Sequence, residues 1–181
     1  MSTNVSTKSR NNTSKNIKLL TMTALLAALV YVLTAFLHIP TNNGYTHVGD
    51  GVVFLAASML PLPYAMAVGA IGAGLADTLS GFIIWLPATF IIKAVTSLYF
   101  TNKKPKILCL RNILAVIPAW LTCVAGYTLY EGTFISNYKA AIIALPSYTI
   151  QIVASMAVYI LLSIGLDKIG FKKKFGFVSE K

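Results

Sequence analysis

The chain has 181 residues, of which 56% are hydrophobic and 11% are charged. Because soluble domains contain roughly 25% charged residues, a soluble domain of this size would lack the polar side chains needed to cover its surface. The apolar content also excludes a disordered or collagen-like chain. The composition therefore predicts a protein embedded in a membrane.

Six apolar segments follow one another between two polar, basic tails. Residues 1–18 and 167–181 form the tails, and the first is predicted to be disordered. The apolar segments cover residues 19–37, 48–60, 64–79, 82–100, 107–130 and 140–166. We therefore expect an all-α integral membrane protein, a bundle of six transmembrane helices within residues 19–166. The second and third segments are short for a span, so a single re-entrant hairpin is an alternative for them. Residues 38–47 are predicted to be a loop, marked by Pro40 and the turn pair Asn43-Gly44.

The basic residues indicate the orientation of this bundle. Fifteen Lys and Arg against five acidic residues give a net charge of +10, which in a soluble protein would suggest nucleic-acid binding. With six spans, thirteen of the fifteen fall on the side that holds both termini. Basic residues concentrate on the cytoplasmic side of a membrane. The pattern therefore predicts a multi-pass cell-membrane protein with cytoplasmic N- and C-termini, and it argues against nucleic acid as a partner.

Three of the five acidic residues fall on the outer side. Asp50 begins the second segment, Asp77 ends the third and Glu131 follows the fifth, whereas Asp167 and Glu180 lie in or beside the basic tail, where we expect them to be solvated. Charge within a membrane is costly and often marks a functional site. The alternative for the three outer carboxylates is a role as helix-end charges in the headgroup region.

Lys93 lies inside the fourth segment, about 16 Å from its outer end at 1.5 Å per residue. We expect its side chain to extend to the cytoplasmic headgroups. Pairing with a carboxylate or contact with a ligand or partner subunit is the alternative.

Aromatic, amide and imidazole side chains share the outer side with the three carboxylates. Interfacial belts account for Trp and Tyr at this depth, but less readily for the amides and the imidazole. A mostly apolar pocket with a few polar groups is what a small-molecule site requires. The predicted substrate-binding residues are Asn43, Tyr45, His47, Asp50, Asp77, Trp85, Tyr127, Tyr148 and Gln151. The loop at 38–47 would suit a lid over such a site.

Enzyme signatures are missing from the sequence. It contains no H-E-x-x-H, no nucleophile elbow and no phosphate-binding loop, and His38 and His47 lack the neighbours of a closed metal site. We therefore expect no catalytic residue, metal or cofactor in this chain, and any energised transport would need ATPase partners. On the first segment, Ala24 and Ala28 place two small side chains on one helical face, which allows close approach of a partner helix.

Three stretches resemble the membrane S components of energy-coupling factor (ECF) vitamin transporters. They are THVGDGVVFLAA at 46–57, GAGLADTLSG at 72–81 and WLPATFIIKA at 85–94. These stretches are similar to the HmpT-type branch, which is assigned to hydroxymethylpyrimidine or pyridoxine-like substrates. The resemblance covers the whole six-segment core. In segment six, however, residues 147–151 read SYTIQ, where many S components carry an asparagine before the glutamine.

The resemblance implies a non-enzymatic subunit that captures a vitamin or vitamin precursor from outside. Such a subunit docks on a transmembrane coupling subunit of the EcfT type and two cytoplasmic subunits that hydrolyse ATP, and Ala24 and Ala28 match the family's docking motif. We expect the bundle to reorient as a whole to deliver its ligand. The alternatives are an S component for another vitamin, such as cobalamin or a flavin, an autonomous six-helix carrier or channel, and an intramembrane enzyme using Asp50 and Asp77.

Overall fold

The structure is a computed structural model that describes residues 3–41 and 44–175, with side chains described from residue 13 onward. In chain order the elements are α1 (Thr3–Ala35), β1 (His38–Pro40), β2 (Tyr45–His47), α2 (Asp50–Met59), α3 (Leu62–Leu79), a 3-10 turn (Ile83–Trp85), α4 (Leu86–Ser97), α5 (Leu110–Leu114), α6 (Val116–Tyr130), a π-helical turn (Glu131–Ile135), α7 (Tyr138–Ile143), α8 (Leu145–Lys168) and α9 (Phe171–Lys174).

Four helical stretches are long and apolar enough to cross a membrane. They are Thr13–Ala35, Leu62–Leu79, Leu110–Ile135 and Tyr138–Lys168. Two shorter apolar helices, Asp50–Met59 and Ile83–Ser97, coincide with the second and fourth segments of the sequence pattern. The chain is therefore a largely α-helical membrane protein, as its composition predicts.

Helix α2 forms the centre of the bundle. All ten of its residues are buried, and it packs against α1, α3, α4 and α8. A helix that is apolar on nearly every side is stable only when other elements surround it. At Gly51 an added Cβ would lie 2.5 Å from the carbonyl oxygen of Ser155 in α8, so the backbones of α2 and α8 approach each other at a distance that only glycine permits.

Helical structure extends into both of the predicted tails. Helix α1 begins at Thr3 rather than after residue 18, because a helix already nucleated by an apolar segment extends into polar residues at little cost. At the other end, α8 continues to Lys168 and α9 follows it, although the last residues of the predicted tail lie outside the described part of the chain.

Polar contacts fasten this second tail to the loop between α4 and α5. Asp167 accepts hydrogen bonds from the backbone amides of Ile107 (2.8 Å) and Leu108 (2.9 Å), so it is not a solvated charge. The ammonium group of Lys172 donates to the carbonyl oxygens of Ser58 (3.0 Å), Asn102 (2.8 Å) and Lys104 (2.7 Å). These bonds close the end of the bundle that carries most of the basic residues.

The predicted loop between α1 and α2 is a short β-hairpin. Strands β1 and β2 pair antiparallel, with His38 opposite His47, Ile39 opposite Thr46 and Pro40 opposite Tyr45. The loop prediction therefore missed the two paired strands on either side of the turn. Two strands of three residues are too short to show the alternation of apolar and polar residues that marks a strand in a sequence.

Candidate functional site

A cavity of about 380 Å³ lies beneath the hairpin, at the end of the bundle opposite Lys172. It is bounded by the hairpin, the end of α3, the start of α4, the end of α6, and the starts of α7 and α8. The residues around it are Pro40, Thr41, Gly44, Tyr45, Thr46, His47, Asp77, Trp85, Thr89, Tyr127, Glu131, Ala140, Ile143, Ala144, Ser147, Tyr148 and Gln151.

Aromatic rings form much of the cavity wall. Tyr127 and Tyr148 are stacked, with ring centroids 5.6 Å apart and planes 25° apart, and Trp85 meets Tyr127 edge-on at 5.8 Å. The ring of Tyr45 lies on the opposite, hairpin side and packs against Phe82 at 4.7 Å. Flat aromatic walls of this kind favour a flat, aromatic ligand over a branched or fully aliphatic one.

Asp77 offers the cavity a buried acceptor without a partner. The Tyr45 hydroxyl donates to its Oδ1 atom at 2.5 Å, and Oδ2 has no hydrogen-bond partner among the described residues. The Thr89 hydroxyl lies 3.3 Å from the Tyr127 hydroxyl and is also close enough to interact with the Asp77 carboxyl group. A buried acceptor left unmatched is costly, so this oxygen is suited to receive an N–H or O–H group from a ligand.

The Tyr45 hydroxyl holds its proton firmly. Burial and the neighbouring Asp77 carboxylate raise the pKa of Tyr45 above its ordinary value. The tyrosine therefore remains a donor at all physiological pH values, and it fixes the hairpin to the end of α3.

A second carboxylate enters the wall from the π-helical turn. Glu131 is buried, and the Tyr148 hydroxyl donates to its Oε2 atom at 2.6 Å. A π-helical turn often occurs at a functional site. Here the turn continues directly from α6 and carries Glu131 to the rim of the cavity.

Directly behind the cavity wall, a buried ion pair links three helices. The ammonium group of Lys93 in α4 lies 2.7 Å from Oδ1 of Asp50 in α2, and apart from this ion pair neither atom has a hydrogen-bond partner among the described residues. The Gln151 amide of α8 donates to the other oxygen, Oδ2, at 2.9 Å. The expectation that Lys93 extends to the headgroups is therefore wrong, because an ionised carboxylate within reach stabilises the ammonium group inside the bundle.

His47 lies buried at the end of β2 with its Nδ1 atom accepting from the backbone amide of Gly49 at 3.2 Å. Burial is the main cause that lowers the pKa of His47 to about 4, and the positive charge of Lys93 adds to this effect, against the opposing influence of Asp50. The imidazole is therefore neutral near pH 7. Because Nδ1 is the acceptor, Nε2 carries the proton, and His47 can act as a hydrogen-bond donor.

The hairpin is attached to the bundle at several points besides Tyr45. The Thr46 hydroxyl donates to the carbonyl oxygen of Ser147 (3.4 Å), and the Ser155 hydroxyl donates to that of His47 (3.5 Å). A side chain added at Gly44 would begin 3.5 Å from the indole of Trp85. The hairpin thus covers the cavity closely, in the position that the sequence predicts for a lid.

The structure brings most of the predicted substrate-binding residues together. Those that line the cavity are Tyr45, His47, Asp77, Trp85, Tyr127, Tyr148 and Gln151. The prediction that Asp50 contacts the ligand needs correcting, because Asp50 does not line the cavity. It lies behind Gln151 and is paired with Lys93. Asn43 lies outside the described residues. Whether the lining residues bind a ligand stays a prediction.

Sequence reasoning missed other members of the wall. Thr41, Thr46, Thr89 and Ser147 line the cavity, but short hydroxyl side chains at helix ends and in turns give no distinctive signal. Glu131 did give a signal, as an outer-side acidic residue, but its position just after the fifth segment favoured a helix-end charge in the headgroup region over a binding residue. Among the described residues, no cluster of three or more His, Cys, Asp or Glu side chains is arranged to hold a metal ion.

The small side chains of α1 lie on an outer surface. Ala24 and Ala28 are both exposed, whereas Ala27 is buried against the bundle. Exposed apolar neighbours, Leu20 and Leu25, flank them. The predicted docking face is thus open to a lipid or to another protein.

A comparison with known protein families matches most of the chain to a family model. Residues 14–168 match the sequence model of a family described as ECF-type riboflavin transporter, S component. No curated protein sequence matches the chain. The matched range begins within α1 and ends at the last residue of α8, so it contains every element that borders the cavity.

Proposed function

Because the chain belongs to the family of ECF-type riboflavin transporter S components, we propose that the cavity beneath the hairpin binds a small vitamin or vitamin precursor. Members of this family are substrate-binding transporter subunits and not enzymes. The main support for the proposal is the aromatic cavity. Its wall contains the Oδ2 atom of Asp77, which has no hydrogen-bond partner among the described residues.

The polar groups of the cavity favour an uncharged ligand that is rich in hydrogen-bond donors. Within the described part of the chain, the wall contains Asp77 and Glu131 but no lysine or arginine, and the buried ammonium group of Lys93 behind the wall is paired with Asp50. A phosphate or carboxylate on the ligand would meet two carboxylates and no free cation. Hydroxyl, amino or ring N–H groups would instead be accepted by them.

Two kinds of vitamin satisfy these requirements. Pyridoxine and hydroxymethylpyrimidine, which the sequence resemblance favours, each place hydroxyl or amino groups on one aromatic ring. Riboflavin is the second candidate, because the matching family is described by it and because its three fused rings and hydroxylated chain would occupy far more of a 380 Å³ cavity. A cavity of this size lies at the lower end of the usual range for ligand sites, about 300–1,000 Å³.

The proposed arrangement in the membrane has six spans, with the cavity on the outer side. It is supported by the two short apolar helices, Asp50–Met59 and Ile83–Ser97, lying between the longer ones. It is also supported by the basic residues 103, 104, 106, 111, 168 and 172–174, which gather at the end of the bundle far from the cavity. Both termini would then be cytoplasmic.

In the proposed assembly, this subunit works with an EcfT-type transmembrane coupling subunit and two cytoplasmic ATPase subunits. Such partners are general for the family. ATP would be hydrolysed by the partners, and this chain would need no cofactor of its own. The exposed face of α1 that carries Ala24 and Ala28 would contact the coupling subunit while the bundle reorients.

Titration calorimetry on the detergent-solubilised protein tests the substrate class. The ligands are riboflavin, pyridoxine and hydroxymethylpyrimidine, each compared with its phosphorylated form. We expect one of the three uncharged vitamins to bind, and its phosphorylated form to bind at least tenfold more weakly because phosphate adds charge next to two carboxylates. Equal binding of the two forms, or binding of none of the three vitamins, would contradict the proposal.

Replacing the unpaired acceptor tests the site itself. In Asp77→Asn the carboxylate becomes a neutral amide, so a hydrogen bond from the ligand to a charged oxygen is lost. Such bonds contribute about 1.5–3 kcal/mol, and we expect the dissociation constant to rise by about 10- to 100-fold. Asp167→Asn makes the same chemical change at the opposite end of the bundle and should leave affinity unchanged. If both variants bind as wild type does, Asp77 does not contact the ligand.

A further inference from the structure

Lys93, Asp50 and Gln151 form a continuous chain of polar contacts that ends at the cavity. The two oxygens of Asp50 are used separately: Oδ1 faces the ammonium group of Lys93 at 2.7 Å, and Oδ2 accepts from Nε2 of Gln151 at 2.9 Å. The exposed fractions of the three residues are only 1%, 1% and 4%. Of the three, Gln151 alone lines the cavity.

A carboxylate that faces an ammonium group can only accept hydrogen bonds. Gln151 must therefore turn its NH2 group toward Asp50, and its carbonyl oxygen, Oε1, points away from the ion pair. The bond to Asp50 is the hydrogen bond that the Gln151 amide makes among the described residues, so Oε1 remains available. An isolated amide has no such preference, since its oxygen and nitrogen ends can exchange places by rotation.

We propose that Lys93, acting through Asp50, fixes the polarity of the Gln151 amide so that a carbonyl oxygen faces the ligand. The site then selects a ligand carrying an N–H or O–H group at this position and rejects one carrying an acceptor there. Lys93 and Asp50 are positioning residues, and Gln151 is the residue that contacts the ligand. The inference rests on the proposed function only for the presence of a ligand in the cavity, and not for its identity.

A contribution to folding stability does not by itself explain why this buried ion pair is present. A buried ion pair is often no more stabilising than apolar residues of similar size, because removing both charges from water is costly. The ammonium group of Lys93 has Asp50 as its one polar contact within the described residues, and it also lies 5.3 Å from the centroid of the Tyr127 ring. A positively charged group held in this way directs the carboxylate, and the carboxylate directs the amide.

The variant Asp50→Asn should invert the amide of Gln151. Lys93 still requires an acceptor, so Oδ1 of the new asparagine faces the ammonium group and its NH2 group takes the place of Oδ2. Gln151 then meets a donor and turns its own oxygen toward it. Its NH2 group faces the cavity, and the preference of the site changes from ligand donors to ligand acceptors.

The double variant Asp50→Asn/Gln151→Glu should restore the original polarity. The asparagine NH2 group donates to one oxygen of the glutamate, and the other oxygen faces the cavity as Oε1 does in the wild type. The number of charges is also unchanged, because the negative charge moves from position 50 to position 151. Gln151→Glu alone, in contrast, places two carboxylates against each other with no donor between them.

The side-chain amide of Gln151 can be observed directly, because the sequence contains a single glutamine. Protein labelled with [¹⁵N]glutamine in detergent micelles should give one NH2 pair in an NMR spectrum. In the wild type we expect the proton bonded to Asp50 to exchange with water about 10- to 100-fold more slowly than in Asp50→Asn, the range set by a hydrogen bond to a charged group. Equal exchange in both proteins would overturn the proposal.

A binding measurement provides the second readout. The probe is whichever of riboflavin, pyridoxine or hydroxymethylpyrimidine binds the wild type, and its affinity should fall at least tenfold in each single variant and recover in the double variant. Recovery of thermal stability without recovery of affinity would show a merely structural role and overturn the proposal. If none of the three vitamins binds, the proposed substrate is wrong, whereas the NMR experiment still decides the polarity of Gln151.

Discussion

Each of the three carboxylates near the cavity is matched with a different donor, and the donor determines what the carboxylate can offer a ligand. Asp50 faces the ammonium group of Lys93, Asp77 accepts from the Tyr45 hydroxyl, and Glu131 accepts from the Tyr148 hydroxyl. Lys93 and Gln151 together occupy both oxygens of Asp50. Asp77 and Glu131 instead place acidic groups in the cavity wall, which within the described residues contains no lysine or arginine, and this is why we expect an uncharged, donor-rich ligand.

The lowered pKa of His47 predicts how the stability of the folded protein depends on pH. Its folded-state pKa of about 4 lies below the ordinary histidine pKa of 6.5, so the unfolded chain binds a proton at a pH where the folded protein does not. The contribution of His47 to the free energy of unfolding is therefore largest above pH 6.5. It decreases as the pH falls toward 4, by about 1 kcal/mol at pH 5.5. In detergent, the thermal midpoint of the wild type should fall more between pH 7.5 and pH 5.5 than that of His47→Gln. An equal fall in the two proteins would show that His47 titrates normally.

Among the elements, α2 shows how a helix too short for a standard span can still organise the site. Its ten residues extend about 15 Å at 1.5 Å per residue, only half the thickness of a bilayer core. Asp50 at its first turn lies just below the hairpin, and the helix is enclosed by four others. Because α2 is surrounded by protein rather than lipid, its length does not have to match the membrane.

Gly51 is the residue that makes this packing possible, and its replacement gives a second prediction. In Gly51→Ala the added methyl group would lie 2.5 Å from the Ser155 carbonyl oxygen and 2.9 Å from Cβ of Val158, so α2 and α8 must separate. Overpacking of this kind costs about 1–3 kcal/mol, and we expect a lower thermal midpoint and weaker ligand binding. Gly165→Ala, in α8 but with nothing within 4 Å of the added methyl, is the matched control and should be as stable as wild type or more so.

The hairpin shows where sequence reasoning failed at this scale. Its role as a cover over the site could be predicted from its position between two apolar segments. Its β-structure could not, because strands of three residues are set by cross-strand bonds and by the contact of Tyr45 with Asp77, 32 residues away in the chain. Local propensity contains no information about such a contact.

On the scale of the whole molecule, the outer face of α1 is an exposed surface on which small and apolar side chains lie side by side. Double replacement of Ala24 and Ala28 by tryptophan should remove co-purification with the coupling and ATPase subunits and abolish uptake, because bulky side chains prevent close helix contact. Ligand binding by the isolated subunit should be unchanged, since neither residue is near the cavity. Ala125→Trp, on an exposed position of α6, is the control for a general effect of surface tryptophans. Uptake retained by the double variant would exclude this face as the docking surface.

The sequence was informative about this molecule wherever the membrane makes polar residues rare. Asp77, Gln151 and the outer aromatic residues stood out because few charges or amides occur within the apolar segments. The sequence did not indicate which of these polar residues contact one another. Lys93 and Asp50 are 43 positions apart, and Asp50 and Gln151 are 101 positions apart, so only the packing of α2 between α4 and α8 reveals that Asp50 supports the site without lining it.

The enclosed position of α2 also bears on the rate at which a ligand leaves. The Asp50–Lys93 pair and the stacked rings of Phe54 and Phe100, 5.0 Å apart, lie within the bundle behind the cavity wall, so under the proposed function a ligand would enter and leave on the hairpin side. Tight binding usually results from slow dissociation, and a subunit that captured a scarce ligand well would therefore release it slowly. A transport cycle would then depend on shortening the residence time of the ligand, by loosening the Tyr45–Asp77 attachment of the hairpin, rather than on opening a second passage through the bundle.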